Sequence, residues 1–295
     1  MNELRAIRAR DSEPAVWYLW WRQVLVAFRS KLKALYRRHA NWYPGLYNAQ
    51  QRHSVLLRSR FKYVHEDDFR ALPLFALPTE AHCIDIGGNV GQSITAIKSV
   101  LSDARITSFE PNPVAYSCLE SVAKRFAGIT TYNMGIAATN SDIAMYIPSS
   151  CGVMFDQLAT TKMPNRSRFA RTLRRFGYSF VSSTELTFDQ IQIQVRTLDG
   201  FGLVPDFIKI DVEGSELEVL RGAETTLESS KPVLLIEAGD RAEIECFLSA
   251  RGYRRLMYSK GALSPVAGHK ALNYFYVHRE HSIFRLNGAG TTVGH

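Results

Sequence analysis

A glycine-rich turn that directly follows a short apolar segment is the feature that most constrains this chain. The sequence runs CIDIGGNVGQS from Cys83 to Ser93, and the residues HCIDI at 82–86 have the character of a buried strand. In an open α/β sheet, ligands bind beyond the carboxyl ends of the strands, where a glycine turn lets the backbone approach them closely. The turn therefore predicts an α/β fold with a ligand site at this sheet edge.

The spacing of the turn excludes two common nucleotide-binding motifs. The dinucleotide motif G-x-G-x-x-G needs glycines two and five residues after Gly87, where the chain has Asn89 and Gln92. A P-loop needs Gly-Lys-Ser/Thr, which does not follow. The remaining pattern is Asp85-x-Gly87-x-Asn89-x-Gly91, and Asn is one of the few residues besides glycine that tolerate a left-handed backbone. An acid such as Asp85 suits an amino acid moiety better than a pyrophosphate.

A second acid ends the next predicted strand. Glu110 closes the segment RITSFE and lies 19 residues beyond Gly91. A carboxylate at this position would receive both ribose hydroxyls of an adenosine. Together, Asp85 and Glu110 favour S-adenosylmethionine over NAD as the cofactor, and the simpler alternative is a glycine-rich turn beside a surface glutamate.

The segment FIKIDVEGSELEVLRGAE delivers further acids to the same edge. Asp211 and Glu213 differ by two positions, so they share a face if the strand persists. Glu237 ends the following strand, LLIE. We expect these three carboxylates to gather at the edge where the glycine turn lies. Glu213 has the alternative role of capping the next helix, and Glu216 and Glu218 are expected to be solvated helix residues.

The rest of the chain is organised around this pattern. Between residues 79 and 285, short apolar strands alternate with helical segments, which is typical of a parallel sheet with crossover helices. Residues 151–185 are predicted to be an irregular, basic lid, and residues 286–295 a loose tail. Residues 1–78 are predicted to be a basic, aromatic-rich helical extension. The predicted strands are HCIDI, RITSFE, ITTYNMG, IAMYIP, DFIKIDV, PVLLIEA, YRRLMY and NYFYVH.

Five segments together resemble a known family. They are IDIGGNVGQS, SFEPNP, VRTLDGF, KIDVEGSELEVLRGAE and VLLIE, and they resemble the FkbM-type S-adenosylmethionine-dependent methyltransferases over about residues 80–280. The resemblance implies a class I methyltransferase fold with a Rossmann-like, seven-stranded, mostly parallel sheet, and O-methylation of a hydroxyl, commonly on a sugar or a polyketide-type product. The cofactor-binding residues it implies are Asp85, Gly87, Asn89 and Gly91 at the methionine end, Glu110 at the ribose and Asp211 facing the methyl-transfer site.

Methyl transfer from a sulfonium requires alignment of the reactants and removal of the hydroxyl proton. The candidates for this role are Asp211, Glu213 and Glu237 as a general base. Asp211 and Glu237 are alternatively expected to bind a divalent cation such as Mg²⁺. His278 and His281 near the carboxyl terminus are expected to lie at the surface rather than to bind a metal.

The sequence leaves two alternatives to a sugar O-methyltransferase, a nucleic-acid methyltransferase and a non-catalytic adaptor. A nucleic-acid base methyltransferase would carry an Asn/Asp-Pro-Pro-aromatic turn where this chain has IDVEGS. A non-catalytic adaptor built on the same fold would be expected to have lost one of Asp85, Glu110 and Asp211, which are all present.

The excess of positive over negative charge lies in the amino-terminal quarter of the chain. Residues 1–70 contain 14 Lys or Arg and six Asp or Glu, whereas the remaining 225 residues contain 22 of each. Arg22 interrupts the most apolar stretch there, PAVWYLWWRQVLVAF, which is shorter than the ~20 residues of a membrane-spanning helix. No secretory signal is recognised, and the four cysteines form no C-x-x-C, so we expect a cytoplasmic location.

The amphipathic helix predicted over residues 15–38 has three interpretations. It is a cap whose aromatic and arginine side chains contact the acceptor, a helix at the inner membrane surface that brings the enzyme to a lipid-linked glycan, or a surface for homodimerisation or core packing. Arg171, Arg174 and Arg175 of the basic segment either bind an anionic acceptor or form a solvated face. A nucleic-acid partner is not favoured, because no known binding motif is present.

Overall fold

The computed structural model of the protein describes residues 40–43, 45, 66–155, 158–237, 242–265, 271 and 273–284. The helix predicted over residues 15–38 and the tail predicted over residues 286–295 lie outside this part of the chain. Within it, no helix is both long and apolar enough to cross a membrane.

The strands form two sheets. In chain order they are β1 (His82–Ile86), β2 (Arg105–Phe109), β3 (Ile129–Tyr132), β4 (Gly135–Ile136), β5 (Ser141–Ser150), β6 (Val153–Met154), β7 (Thr187–Arg196), β8 (Phe207–Ile210), β9 (Val233–Ile236), β10 (Tyr253–Ser259), β11 (Ala262–Pro265) and β12 (Tyr274–His278). The larger sheet has eight strands in the spatial order β3-β2-β1-β8-β9-β12-β10-β11. The prediction of a mostly parallel α/β sheet is confirmed, and the strand beyond the expected seven is β11.

The order of the strands creates a switch point at the centre of the sheet. From β1 the chain builds outward through β2 and β3, and it later returns to the other side of β1 with β8 and β9. These five strands are all parallel, whereas β12 runs antiparallel to β9. Loops that leave the carboxyl ends of β1 and β8 therefore diverge, and the crevice between them is where an open α/β sheet binds its ligand.

Helices cover both faces of the main sheet. The described helices are α1 (Gln92–Val100), α2 (Pro113–Ala123), α3 (Arg166–Arg175), α4 (Glu216–Arg221), α5 (Glu224–Ser230) and α6 (Ala242–Ala250). Side chains of α1 and α2 share one core cluster with the sheet, and side chains of α4, α5 and α6 share the other. Because both faces are covered, β1, β8 and β9 are buried at every residue, and this explains why they are mostly apolar, with His82, Asp85 and Lys209 as the polar exceptions.

A 3₁₀ helix over Asp67–Phe75 packs onto the face that carries α1 and α2. Its side chains Phe69, Leu72 and Phe75 belong to the core cluster there, and the rings of Phe75 and Phe275 lie 5.1 Å apart. The core of the sheet domain therefore includes residues that precede the boundary predicted at residue 78.

The second sheet was not predicted. Its order is β4-β7-β5-β6, and β5 and β7 pair antiparallel from Ser141 opposite Val195 to Ser149 opposite Thr187. The predicted strand ITTYNMG is wrong in its extent, because its first four residues form β3 in the main sheet and Gly135 begins β4 in the second. The description of residues 151–185 as irregular is also wrong, because this segment contains β6 and α3.

The residues that follow β8 form two helices, α4 and α5, rather than one continuous helix. Gly222 lies at the break, and a Cβ atom built there would overlap the carbonyl oxygen of Ala137. The close approach of the chain just after β4 therefore explains both the break and the glycine.

Candidate active site

The glycine turn after β1 lies at the switch point. The backbone N–H groups of Gly87 and Gly88 donate to the carbonyl oxygen of Phe109, at 3.0 and 2.9 Å. Gly87 has a φ of 85°, and a Cβ atom built on it would overlap the carbonyl oxygen of Asp211. A side chain is thus excluded at Gly87 by both backbone conformation and space, so the turn presents backbone to the crevice.

Asn89 and Glu110 join the glycine turn after β1 to the carboxyl end of β2. Asn89 has a φ of 47°, as expected for a left-handed position, and its backbone N–H donates to Glu110 Oε2 at 2.8 Å. The N–H of Asn112 donates to Glu110 Oε1 at 2.7 Å. Each carboxylate oxygen has a further lone pair for a ligand hydroxyl. The side-chain oxygen of Asn89 is buried and has no hydrogen-bond partner among the described residues.

Glu110 is a buried acid with an altered affinity for its proton. Its exposure is 7%, and burial raises its pKa from 4.5 to about 7, although the N–H groups of Asn112 and Asn89 oppose the change. The negative charges of Asp85 and Asp211 raise it further. Glu110 is therefore poised between its charged and neutral forms near neutral pH.

Asp85 lies beneath the turn in a row of polar side chains. It pairs in register with Ser108 on β2 and with Lys209 on β8, so the three side chains point to the same face. Asp85 is 0% exposed, and Ser108 donates its hydroxyl to Asp85 Oδ2 at 2.8 Å. Burial raises the pKa of Asp85, and Lys209 and Ser108 oppose this shift. Its Oδ1 is unpartnered within the described part of the chain.

Lys209 is the residue that the sequence analysis missed. Its exposure is 5%, and its Nζ lies 2.9 Å from Asp211 Oδ2. Burial alone lowers the pKa of Lys209, but the charges of Asp211 and Asp85 more than offset this and raise it above its ordinary value. The signal was available in the sequence, because a lysine at the centre of the apolar strand FIKI needs a buried partner.

Asp211 and Glu237 form the carboxyl pair that the sequence predicted at this edge. Both follow parallel strands, since the N–H of Asp211 donates to Ile86 and that of Glu237 to Ile210, each at 3.0 Å. The pKa of Glu237 is raised to about 8, mainly by burial. A hydrogen bond with Asp211 and the negative charge of Asp211 raise it further. A cation next to a carboxylate favours its charged form. Lys209 therefore favours the charged form of Asp211, while burial and the neighbouring Asp211 favour the protonated form of Glu237.

Glu213 does not share the face of Asp211. The strand ends at Ile210, and Glu213 is exposed in a left-handed conformation with a φ of 52°. Its charge still contributes to raising the pKa of Glu237. The expectation that Glu216 is solvated is wrong, because it is 1% exposed and its Oε1 accepts from the N–H of Gly214 at 2.9 Å.

Asn273, Glu66 and Asp68 form a further polar cluster beside the strand that follows Glu237 in the sheet. Asn273 directly precedes β12, and its Nδ2 donates to Glu66 Oε2 and to Asp68 Oδ2, both at 2.9 Å. Burial raises the pKa of Asp68, and the charge of Glu66 contributes to the raised pKa of Lys209. The start of the Asp67–Phe75 helix is thus tied to the polar face of the sheet, a connection that the sequence did not indicate.

The magnesium prediction gains no support from the structure. Within the described residues, no group of three or more His, Cys, Asp or Glu side chains is placed to hold a metal ion. His278 is buried rather than at the surface, and its ring lies 5.4 Å from that of Tyr253. It stands at the end of β12, where the chain is antiparallel to β9, away from the crevice.

The segment between β6 and α3 touches the loop that follows Asp211. The hydroxyl of Thr161 is 3.2 Å from that of Ser215, and Lys162 Nζ donates to the carbonyl oxygen of Gly214 at 2.9 Å. The unit formed by the second sheet and α3 is therefore joined directly to the edge of the crevice.

Comparisons with known proteins find similarity to several methyltransferases. The chain is 22% identical over 209 residues to Methyltransferase 1 of Beauveria bassiana, covering 65% of this chain and 80% of the relative. It is 27% identical over 157 residues to the hexuronic acid methyltransferase AglP of Haloferax volcanii, covering 52% of this chain and 55% of that relative. A solved structure, methyltransferase FkbM of Methylobacillus flagellatus, aligns with a TM-score of 0.44 and 19% identity over 71% of this chain and 48% of its own.

A family model places the chain. The model of the methyltransferase FkbM domain matches residues 85–255, from Asp85 in β1 to Arg255 in β10. The match covers more than half of the 295 residues and includes the glycine turn, Glu110, Asp211 and Glu237. The fold is the Rossmann-like fold of class I methyltransferases, and the chain belongs to the FkbM methyltransferase family.

Proposed function

We propose that this protein is an S-adenosylmethionine-dependent O-methyltransferase whose acceptor is a sugar hydroxyl. The observation that carries the proposal is Asp211, a carboxylate held by Lys209 at 2.9 Å beside the glycine turn at the switch point. A site of this kind combines a place for the methyl donor with a group that can take a proton. The printed name of AglP, a hexuronic acid methyltransferase, supports a sugar as the acceptor.

The residues around the turn suit the cofactor. Asn89 and Asp85 each have a buried carbonyl or carboxylate oxygen without a partner among the described residues, and a cationic or amide-donating ligand group would satisfy such oxygens. The glycine turn presents backbone rather than a side chain to the crevice where the methionine end would lie, and Glu110 is held by two backbone N–H groups where it can receive ribose hydroxyls. When bound, the cofactor supplies an activated methyl group on a sulfonium.

The chain itself contributes alignment and a base. A sugar hydroxyl is a weak acid, but its oxygen becomes strongly acidic as it gains the methyl group, so a carboxylate is basic enough to take the proton. In the proposed mechanism Asp211 accepts this proton. Lys209 keeps Asp211 charged and oriented before the reaction, and the protonated carboxyl of Glu237 fixes the other side of the pair through its hydrogen bond.

Calorimetric titration of S-adenosylmethionine tests the first half of the proposal. We expect micromolar binding to the wild-type protein and loss of binding in Glu110→Ala. A matched control is Glu120→Ala, because Glu120 is a glutamate on α2 that makes only a partly exposed ion pair with Lys124. Absence of binding to the folded wild-type protein would refute the proposal.

Transfer of a labelled methyl group tests the second half. The purified protein is incubated with methyl-labelled S-adenosylmethionine and a panel of sugars that includes hexuronic acids. We expect label in a product that resists mild base, because an ether survives where a methyl ester is hydrolysed. Label that is released by base would show esterification of a carboxylate and contradict O-methylation of a hydroxyl.

A further inference from the structure

The segment between β6 and β7, which touches the crevice, carries an excess of positive charge. Residues 158–184 contain six Lys or Arg and no Asp or Glu. Five of the six are arginines of α3, all exposed: Arg166, Arg168, Arg171, Arg174 and Arg175. No carboxylate of the described residues forms an ion pair with any of them.

The stability of α3 does not account for these arginines. The buried side of the helix is formed by Ala170 and Leu173. Like charges at spacings of three and four residues destabilise a helix, and the first turn of α3 has no acidic residue, so cations there oppose the helix dipole. Within the described part of the chain, Arg174 is the one of these arginines whose side chain has a hydrogen bond, since its Nη1 donates to the carbonyl oxygen of Val181 at 2.8 Å.

Three of the arginines form one exposed surface. Arg168, Arg171 and Arg175 follow each other at spacings of three and four residues, so they lie along one side of the helix. We call these three residues the arginine stripe. An arginine offers a planar set of donors that can bind a carboxylate through two hydrogen bonds. The stripe therefore presents a row of carboxylate-binding groups to solvent.

The arginine stripe is tied to the reaction centre through short connections. Lys162 contacts Gly214 and precedes the start of α3 at Arg166 by four residues, a span of at most ~14 Å. Gly214 is three residues from Asp211, a span of at most ~11 Å. An acceptor of more than one sugar unit could therefore extend from Asp211 onto α3.

We propose that the arginine stripe binds the carboxylates of an acidic oligosaccharide acceptor while one of its hydroxyls lies at Asp211. This inference rests on the proposed function, because it takes the acceptor to be a sugar, and it adds that the sugar chain is a polyanion of the uronic acid type. The contact of Thr161 and Lys162 with the crevice loop favours this ligand over a membrane surface, because a membrane would not need the stripe to adjoin the active site.

The test uses the full chain and two probes of equal length, an oligogalacturonate and a neutral maltooligosaccharide. The variant is R168Q/R171Q/R175Q, which removes three charges, keeps good helix-forming residues and leaves Arg174 in place. The matched control is R105Q/R254Q/K260Q, three exposed basic residues at the amino end of β2 and on the β10–β11 hairpin. A second variant, R168K/R171K/R175K, keeps the charge and loses the planar donors.

Binding is measured by calorimetry at low and moderate salt. We expect the oligogalacturonate, but not the maltooligosaccharide, to bind the wild-type protein, with at least tenfold weaker binding in the glutamine variant, intermediate weakening in the lysine variant and less than twofold change in the control. Equal weakening in the variant and the control would overturn the proposal. So would wild-type protein that binds S-adenosylmethionine but not the oligogalacturonate.

Two further measurements separate the explanations. Titration of S-adenosylmethionine into every variant should give unchanged affinity. Failure of the wild-type protein to bind S-adenosylmethionine would refute the proposed function, whereas binding of the oligogalacturonate by the arginine stripe is judged by its own titration. Vesicles of phosphatidylcholine and phosphatidylglycerol should not displace the oligogalacturonate. Displacement by these vesicles, lost in the glutamine variant, would assign the stripe to a membrane and overturn the proposal.

Discussion

Replacement of Glu110 by glutamine should change the stability of the protein in opposite directions at acidic and alkaline pH. Burial raises the pKa of Glu110 from 4.5 to about 7, so the folded state prefers the neutral acid. The wild-type protein gains the full benefit below pH 4.5 and loses it progressively as the pH rises to about 7. The charged form therefore costs ~3 kcal/mol at pH 8, from ~1.4 kcal/mol per unit of pKa.

Glutamine removes this cost but loses one acceptor. The N–H groups of Asn89 and Asn112 both donate to the carboxylate of Glu110, and a glutamine amide can accept only one of them. An unsatisfied buried N–H costs ~1–3 kcal/mol. We therefore expect Glu110→Gln to be less stable than the wild-type protein by ~1–2 kcal/mol at pH 4.5 and more stable by ~1 kcal/mol at pH 8.

Urea unfolding at the two pH values measures this difference. Glu120→Gln serves as the control, because Glu120 is partly exposed in an ion pair with Lys124, and its effect should stay below ~0.5 kcal/mol at both pH values. A Glu110→Gln effect that has the same sign and size at pH 4.5 and pH 8 would refute the argument that Glu110 is a buried, proton-binding acid.

Three other substitutions test the crevice. Asp211→Asn should lower kcat by at least ~100-fold and leave the calorimetric affinity for S-adenosylmethionine within about threefold, and a kcat within tenfold of wild type would remove Asp211 as the base. Lys209→Met leaves the buried carboxylates of Asp85 and Asp211 without their cation, so unfolding in urea should show a loss of ~3–5 kcal/mol. Gly87→Ala introduces a side chain where φ is 85° and the backbone of Asp211 leaves no room, so it should abolish cofactor binding, and an unchanged affinity would contradict the geometry of the turn.

The main sheet could be predicted from the sequence because its physical signal is local. A parallel strand covered by helices on both faces is mostly apolar, and β1, β8 and β9 are buried at every position. The edge strand β11 was not predicted, because a four-residue strand with the sequence ALSP, in which Leu263 is the buried residue, lacks this signal. Glu110 and Asp211 could be placed at the carboxyl edge because each directly follows such a strand.

The second sheet was missed for a different reason. The strand β7 has the sequence TFDQIQIQVR, in which apolar residues alternate with polar ones, and this is the pattern of an antiparallel strand with one solvated face. This alternation differs from the mostly apolar pattern of the buried parallel strands of the main sheet. The helix α3 was missed because only Ala170 and Leu173 are buried in it, too few to give a helical period among so many arginines.

The residues of the site that escaped prediction depend on partners distant in sequence. The lysine in FIKI indicates that a buried partner exists, but one of the two carboxylates that stabilise Lys209, Asp85, lies opposite it in register 124 residues earlier, beside the nearby Asp211. The burial of Glu216 depends on the turn that brings the N–H of Gly214 to its carboxylate. Neither arrangement can be recognised from local composition, because each requires the register of two strands or the conformation of a loop.

The charge balance of the crevice gives a reason for the choice of ligand that is independent of any motif. Four carboxyl groups, Asp85, Glu110, Asp211 and Glu237, lie at this edge of the sheet, and the buried cation Lys209 interacts with Asp85, Asp211 and Glu237. Raised pKa values at Asp85, Glu110 and Glu237 show that the folded site resists further negative charge. A pyrophosphate would add such charge at close range, whereas a ligand with a sulfonium and an ammonium group would reduce it. The glycine turn after β1 is therefore better suited to a cationic methyl donor than to a phosphate group.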